Sequence, residues 1–148
     1  KTAQEKFLQF CIDNKDRCYL EIQHHLDDKQ IQYNKYLAKI SEKYGIPLIA
    51  GTDTHCLNEE HVLGREILQK SKDVKFKEEE RFDLVLKTYD GLVDAYRRQN
   101  AVPERIFLNA IEETNRMADR IETFKLDYKK KYPKLYYDSL GLLKQKIV

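Results

Sequence analysis

The sequence predicts an α/β fold, and three observations carry that prediction. Two short apolar segments rich in strand formers, residues 18–22 (Cys-Tyr-Leu-Glu-Ile) and 47–50 (Pro-Leu-Ile-Ala), read as buried strands. Between them Tyr33, Leu37, Ile40 and Tyr44 recur at i, i+4, i+7 and i+11, one face of an amphipathic helix over 30–44. Gly45 then stands where a helix C-terminus favours a residue without a Cβ. Strand, loop, helix, tight turn and strand make a βαβ unit, which implies neighbouring parallel strands with helices packed outside them.

The remaining elements follow in order. Phe7, Leu8, Cys11 and Ile12 form a helical stripe over 3–14, and Asn14-Lys15-Asp16 turns the chain into the first strand. His24-His25-Leu26-Asp27-Asp28 is a polar loop with capping groups for the helix that follows. After the second strand comes Gly51-Thr52-Asp53-Thr54-His55. Asn58 can cap a helix over 59–70, with Glu59 and Glu60 well placed in its first turn and Leu63 and Ile67 on its apolar face. Residues 71–81 are charge-dense and read as a loop with a short helical piece. Residues 82–87 (Phe-Asp-Leu-Val-Leu-Lys) suggest a third strand, and Thr88 caps a helix reaching Arg98. Pro103 suits the first position of a helix whose stripe runs through Ile106, Phe107, Ala110, Ile111, Thr114, Met117, Ala118 and Ile121 to about residue 122. Residues 124–138 carry many Tyr and Lys with little periodicity and read as a linker.

Composition bounds the function. The 148 residues include 27 Lys+Arg and 25 Asp+Glu, a net charge of +2, which argues against a protein dedicated to coating nucleic acid. No apolar run approaches the ~20 residues that span a bilayer, and the amphipathic start is not a signal peptide, so no membrane is expected. Three cysteines, Cys11, Cys18 and Cys56, are an odd number at spacings that suggest no disulfide framework; a reducing, cytoplasmic setting follows. The chain starts at Lys1 rather than Met and ends on an apolar-basic run, Gly141 to Val148, so a section of a longer protein is expected.

Asp53-Thr54-His55 is the sharpest local feature. On an extended segment, side chains two apart point the same way. One carboxylate oxygen and one imidazole nitrogen then reach one metal, a donor set suited to zinc, manganese or iron. The competing reading is a capping Asp beside a surface His. Both histidine-bearing loops follow a strand's C-terminal end, where α/β proteins gather functional groups. Glu21, in an otherwise apolar strand, either projects into a site or reaches solvent or a basic partner. His24 and His25 are adjacent, so at most one faces a given point, and a surface loop is the preferred reading for both. Cys56 points away from His55, His61 is an exposed helical residue, and Cys11 and Cys18 are small core residues. Phosphate-loop, dinucleotide and nucleophile-elbow motifs are absent. The interleaved Tyr and Lys of 128–137 could suit single-stranded nucleic acid, though a solvated linker is preferred.

The order of segments resembles a known family. Tyr19-Leu20-Glu21-Ile22-Gln23-His24-His25, an amphipathic helix, Gly45 to Ala50, then Thr52-Asp53-Thr54-His55 and Asn58 resemble the polymerase-and-histidinol-phosphatase (PHP) domain of bacterial DNA polymerase III alpha subunits. The likeness continues through Phe82, Lys87, Leu92-Val93 and the 103–121 helix to Tyr132-Pro133-Lys134, which is similar to the L-P-K-F-P stretch leading to the palm. The resemblance implies part of a distorted (β/α)7 barrel with a helical C-terminal extension: residues 1–122 as the C-terminal part of the PHP domain and 123–148 as the linker toward the palm. It implies that Asp53 and His55 match the last metal-ligand pair, and that Glu21 and His25 match nearby positions of second-shell or phosphate-binding character. Divalent zinc, manganese or magnesium would then support phosphoester hydrolysis, including 3′→5′ exonuclease action, in the intact parent. Where the family usually carries Tyr, this chain has Cys56, to which no role is given. The family's first H-x-H motif and the palm carboxylates lie outside this sequence.

The preferred expectation is a fragment of a replicative DNA polymerase, inactive by itself, whose partners are DNA and other replisome subunits. A stand-alone phosphoesterase of the same family should end soon after the Asp-x-His helix, whereas well over half of this chain follows His55. A non-catalytic replisome scaffold is the third reading. Part of a barrel exposes sheet edges, so a homodimer through those edges is also expected to be possible.

Overall fold

The computed structural model describes residues 2–76 and 81–147, and among these the chain is mixed α/β with six helices and two parallel strands. Helix α1 (Ala3–Asp13) starts on a capping box. Thr2 Oγ1 accepts from the Glu5 N–H at 3.2 Å and the Glu5 carboxylate accepts from the Thr2 N–H at 2.7 Å. Strand β1 (Leu20–Gln23) leads into α2 (Asp28–Tyr44), whose cap Asp27 accepts from the N–H groups of Lys29 and Gln30. Gly45 ends α2 in the left-handed region at φ 67°, as its lack of a Cβ allows, and β2 (Leu48–Gly51) follows. The strands pair in parallel with Leu20 opposite Leu48, Glu21 opposite Ile49, Ile22 opposite Ala50 and Gln23 opposite Gly51.

Three more helices follow β2. Helix α3 (Glu59–Ser71) is capped by Asn58. Helix α4 (Tyr89–Gln99) is capped by Thr88 and closed by Asn100 in the left-handed region. Helix α5 (Glu104–Asp119) begins immediately after Pro103. A last helix, α6 (Ser139–Ile147), lies beyond a stretch without regular structure.

Alternation along the strands sorts the two sheet faces. Ile22, Leu48 and Ala50 point into the core and meet Leu37 of α2, Val93 and Tyr96 of α4, and Phe107, Ala110 and Ile111 of α5. On the opposite face Glu21 is exposed and Gln23, Ile49 and Gly51 are half-buried. The Glu21 side chain lies over Gly51, where a Cβ would collide with it. Helix α5 is tied to β2 by Thr114, whose hydroxyl accepts from the Ala50 N–H at 3.0 Å. The α5 end is tied to the approach of β1 by Arg120, which donates to Tyr19 Oη at 2.6 Å and to the Asp16 carbonyl at 2.8 Å.

Several expectations shift. The first strand begins at Leu20, not residue 18. Among the described residues the third-strand segment makes one bridge, Val85 to Cys56: the Leu84 carbonyl accepts from the His55 and Cys56 N–H groups after β2, while Phe82 and Asp83 close on His25 after β1. Of the predicted α2 stripe Leu37 is buried and Ile40 and Tyr44 are half-buried, but Tyr33 is exposed and a hydrogen-bonded Asn34 takes the core position beside it. Leu63 and Ile67 of α3 stay exposed among the described residues, as does Phe7 of α1. Helix α5 stops at Asp119, short of residue 122, and Pro103 stands one position before it. Part of the charged 71–81 loop, residues 77–80, lies outside the described residues. No helix among the described residues is long and apolar enough to cross a membrane.

Candidate functional site

The C-terminal ends of both strands meet one cluster. Beyond β2, Asp53 adopts a left-handed backbone at φ 46°, a conformation Asp tolerates better than most residues. Its Oδ1 stands 3.2 Å from His55 Nε2, and both side chains are partly open to solvent. The pair therefore does converge, but through a turn rather than through the side-chain alternation of a strand. Among the described residues no group of three His, Cys, Asp or Glu side chains closes on one point. Among the described residues, the atoms that converge here are one carboxylate oxygen and one imidazole nitrogen.

Beyond β1 the arrangement corrects the surface reading of His24 and His25, because both are buried. Three side chains make that possible by holding the backbone of β1 and the loop, and a fourth supports one of them. Tyr96 Oη donates to the Ile22 carbonyl at 2.8 Å. Gln99 Nε2 donates to the carbonyls of Gln23 at 2.8 Å and His25 at 2.6 Å. Asn34 Nδ2 donates to the Gln23 carbonyl at 2.7 Å and to Gln99 Oε1 at 2.9 Å, while Gln30 Nε2 donates to Asn34 Oδ1 at 2.8 Å. Burial pushes the Tyr96 hydroxyl pKa upward, so it remains a donor at neutral pH. With the backbone clamped, the imidazoles turn inward. His25 stacks on Phe82 with ring centroids 4.2 Å apart and planes 2° apart, and accepts from the Asp83 N–H on Nδ1 at 3.2 Å. His24 packs edge-on to Tyr96 at 6.1 Å. Asp83 pairs with Lys87 at 2.6 Å. None of Asn34, Asp83, Tyr96 and Gln99 was marked by a motif; the run Phe82 to Lys87 carried a strand signal, and Phe82 and Lys87 a place in the family resemblance.

Glu21 does not enter this cluster. Its carboxylate accepts from Gln23 Nε2 at 2.8 Å on the open sheet face. Cys56 is buried and its backbone pairs with the 84–86 segment, while His61 is exposed. Cys11 is buried and Cys18 half-buried.

The buried histidines make a pH prediction. Desolvation, then the neighbouring His25, lowers the His24 pKa from 6.5 to about 4. Burial also lowers His25, against the opposing pull of Asp53 and Asp83. The folded pKa lies below the unfolded one, so the stability contribution is complete above the unfolded value. As pH falls from 6.5 toward about 4 the unfolded chain takes up protons first and stability drops, flattening below the folded value. Thermal midpoints measured across that range should fall, and should fall less in His24→Leu; identical slopes for the two proteins would contradict the assignment.

The chain is 24% identical over 137 residues to "Probable DNA polymerase YorL" of Bacillus subtilis, a match covering 91% of this chain and 10% of that protein. The "DNA-directed DNA polymerase" of Bacillus phage SPbeta matches with the same identity and coverage. "DNA polymerase III subunit alpha" of Borreliella burgdorferi is 29% identical over 117 residues, 74% of this chain and 9% of that protein. The chain therefore spans about a tenth of the length of the curated relatives it matches. No family model and no solved structure matches.

Proposed function

We propose that this chain is the C-terminal part of a PHP domain within a replicative DNA polymerase of the polymerase III alpha type, and that Asp53 and His55 contribute two ligands to its divalent-metal site. The observation that carries the reading is the convergence of Asp53 Oδ1 and His55 Nε2, 3.2 Å apart, just beyond the C-terminal end of β2. An oxygen and a nitrogen at that spacing fit zinc, manganese or magnesium as two members of a larger ligand set. The relatives are named DNA polymerases, which supports DNA as the substrate of the longer protein. The sheet also fits a barrel wall: one face packs on helices, while the other carries an exposed Glu21 beside half-buried Gln23, Ile49 and Gly51.

A bound divalent ion would neutralise phosphoester charge and lower the pKa of a bound water. The chain's own residues do the rest. Asp53 and His55 hold the ion. The clamp of Tyr96, Gln99 and Asn34 fixes the loop behind them. Two donors converge among the described residues, so in this reading the segment by itself serves as a scaffold, and purified alone it should show no polymerase activity. Asp53→Ala combined with His55→Ala, placed in the polymerase that contains this segment, should lower bound metal per molecule. Unchanged metal content, measured by elemental analysis, overturns the ligand assignment.

A further inference from the structure

The net charge of +2 hides a segregation along the chain. Residues 124–147 carry seven lysines against two aspartates, a net +5, while residues 1–123 are net −3. Rings are interleaved with those lysines: Phe124, Tyr128, Tyr132, Tyr136 and Tyr137 alternate with Lys125, the run Lys129 to Lys131, and Lys134. Every residue from 124 to 140 is exposed, and Tyr128, Tyr132 and Tyr137 keep 87%, 81% and 97% of their surface open. None of these rings joins the apolar core between the sheet and its helices. The polar contacts described for the segment are internal to it. Asp127 accepts from the Lys129 N–H and pairs with Lys131 at 3.1 Å, and Asp138 accepts from the Gly141 N–H. Lys125, Lys129, Lys130 and Lys134 have no carboxylate partner among the described residues.

A solvated linker has use for the lysines but none for a row of open rings, which are costly to leave in water. An apolar protein surface could cover the rings only by drawing the lysines between them out of water. A single nucleic-acid strand meets both demands, because it offers phosphates to the ammonium groups and unstacked bases to the phenol faces. Lys134 Nζ stands 5.1 Å from the Tyr137 ring centroid, so a cation and a largely open aromatic ring sit side by side, as a phosphate and its base require. The backbone of 124–135 has no regular structure and can follow a strand. We propose that residues 124–137 are a binding surface for single-stranded nucleic acid, with Tyr128, Tyr132 and Tyr137 as stacking platforms and Lys125, Lys129, Lys130 and Lys134 pairing with phosphates. The modest overall charge is no obstacle, since the attraction acts over about 10 Å and the negative balance lies in residues 1–123.

This surface extends the reading of a DNA-polymerase segment without resting on Asp53 and His55 as metal ligands, so the metal measurement and the one below fail separately. The full 148-residue chain is titrated into a fluorescein-labelled oligothymidylate of about twenty nucleotides, longer than the roughly 4–16 that such sites cover, and anisotropy is read. Binding should be seen, should weaken steeply between about 50 and 200 mM salt, and should exceed binding to a duplex of the same length. Tyr128→Ala, Tyr132→Ala and Tyr137→Ala together should weaken binding about ten-fold or more and keep the salt dependence. Lys129→Gln, Lys130→Gln and Lys134→Gln together should flatten the log–log salt slope by about 2, since each phosphate contact on a single strand contributes about 0.7. All six side chains are exposed and outside the core, so the thermal midpoint should not move and a lost affinity reports the surface itself. No binding to the oligothymidylate overturns the proposal. So does a tyrosine variant that binds as wild type, or a duplex bound equally well, because either would mean charge attraction alone. Binding to phosphatidylserine vesicles in preference to the strand also overturns it, and would assign the lysines to a membrane surface together with Leu140, Leu143 and Ile147 of α6.

Discussion

Phe107→Ala is expected to remove about 3–5 kcal/mol of folding stability. Phe107 is 2% exposed and belongs to α5, the helix packed most extensively on β2. Its ring stacks on Tyr96 with centroids 5.3 Å apart and planes 12° apart, so it joins α5 to α4 as well as to the sheet. Truncation leaves a cavity bordered by a two-stranded sheet and by a Tyr96 whose hydroxyl is already committed to the Ile22 carbonyl. That bond limits how far Tyr96 can shift to fill the space. A domain with a net stability of about 5–15 kcal/mol loses a large fraction of it at one site. Urea unfolding of both proteins measures the change; a loss below about 1 kcal/mol would show that the α4–α5 layer collapses freely around the missing ring.

How much of this was legible in the sequence divides by the range of the interactions involved. The βαβ unit was legible because its signals are local: Asp27 caps α2 within three residues, Gly45 ends it, and β1 and β2 are short apolar runs. The cap of α3 at Asn58 and that of α4 at Thr88 were legible for the same reason. Burial of His24 and His25 was not legible, because it depends on Gln99 reaching back from α4 and on Phe82 and Asp83 closing over the ring. Nothing within a helical or strand period announces a contact between residues so far apart in sequence. The apolar stripe of α2 placed Leu37 correctly but missed Asn34 for a related reason: Asn34 faces inward and is satisfied there, a position that counting only apolar residues gave to Tyr33.

Asp53 and His55 are the instructive intermediate. Their spacing raised the question, and the structure brings Oδ1 and Nε2 to 3.2 Å. The strand reading assigned the wrong cause, since β2 ends at Gly51 and a left-handed Asp53 turns the chain. A backbone in that region is governed by the loop's own packing, and the neighbouring Cys56–Val85 bridge anchors its far end.

Asn34→Ala is expected to cost about 2–4 kcal/mol, more than the roughly 1 kcal/mol of an ordinary hydrogen bond, because it strands several partners at once. Asn34 is fully buried. Its Oδ1 accepts from the Gln23 N–H at 3.3 Å and from Gln30, and its Nδ2 donates to the Gln23 carbonyl and to Gln99 Oε1. Removing it leaves Gln99 Oε1 without a donor, and Gln99 is the side chain that grips the Gln23 and His25 carbonyls. Asn34→Asp should do more harm than its small change in shape suggests, since it replaces a two-way donor by an oxygen facing the Gln23 carbonyl and Gln99 Oε1. Asn34→Ala and Gln99→Ala should be non-additive, the double variant losing less than the sum, because both dismantle one clamp. Amide exchange should quicken in residues 22–25 ahead of the α5 core in either single variant, since that loop hangs from α4 and α2 through these bonds. Strictly additive losses, or exchange that quickens equally everywhere, would mean the loop bearing His25 is held by its apolar packing on Phe82 instead.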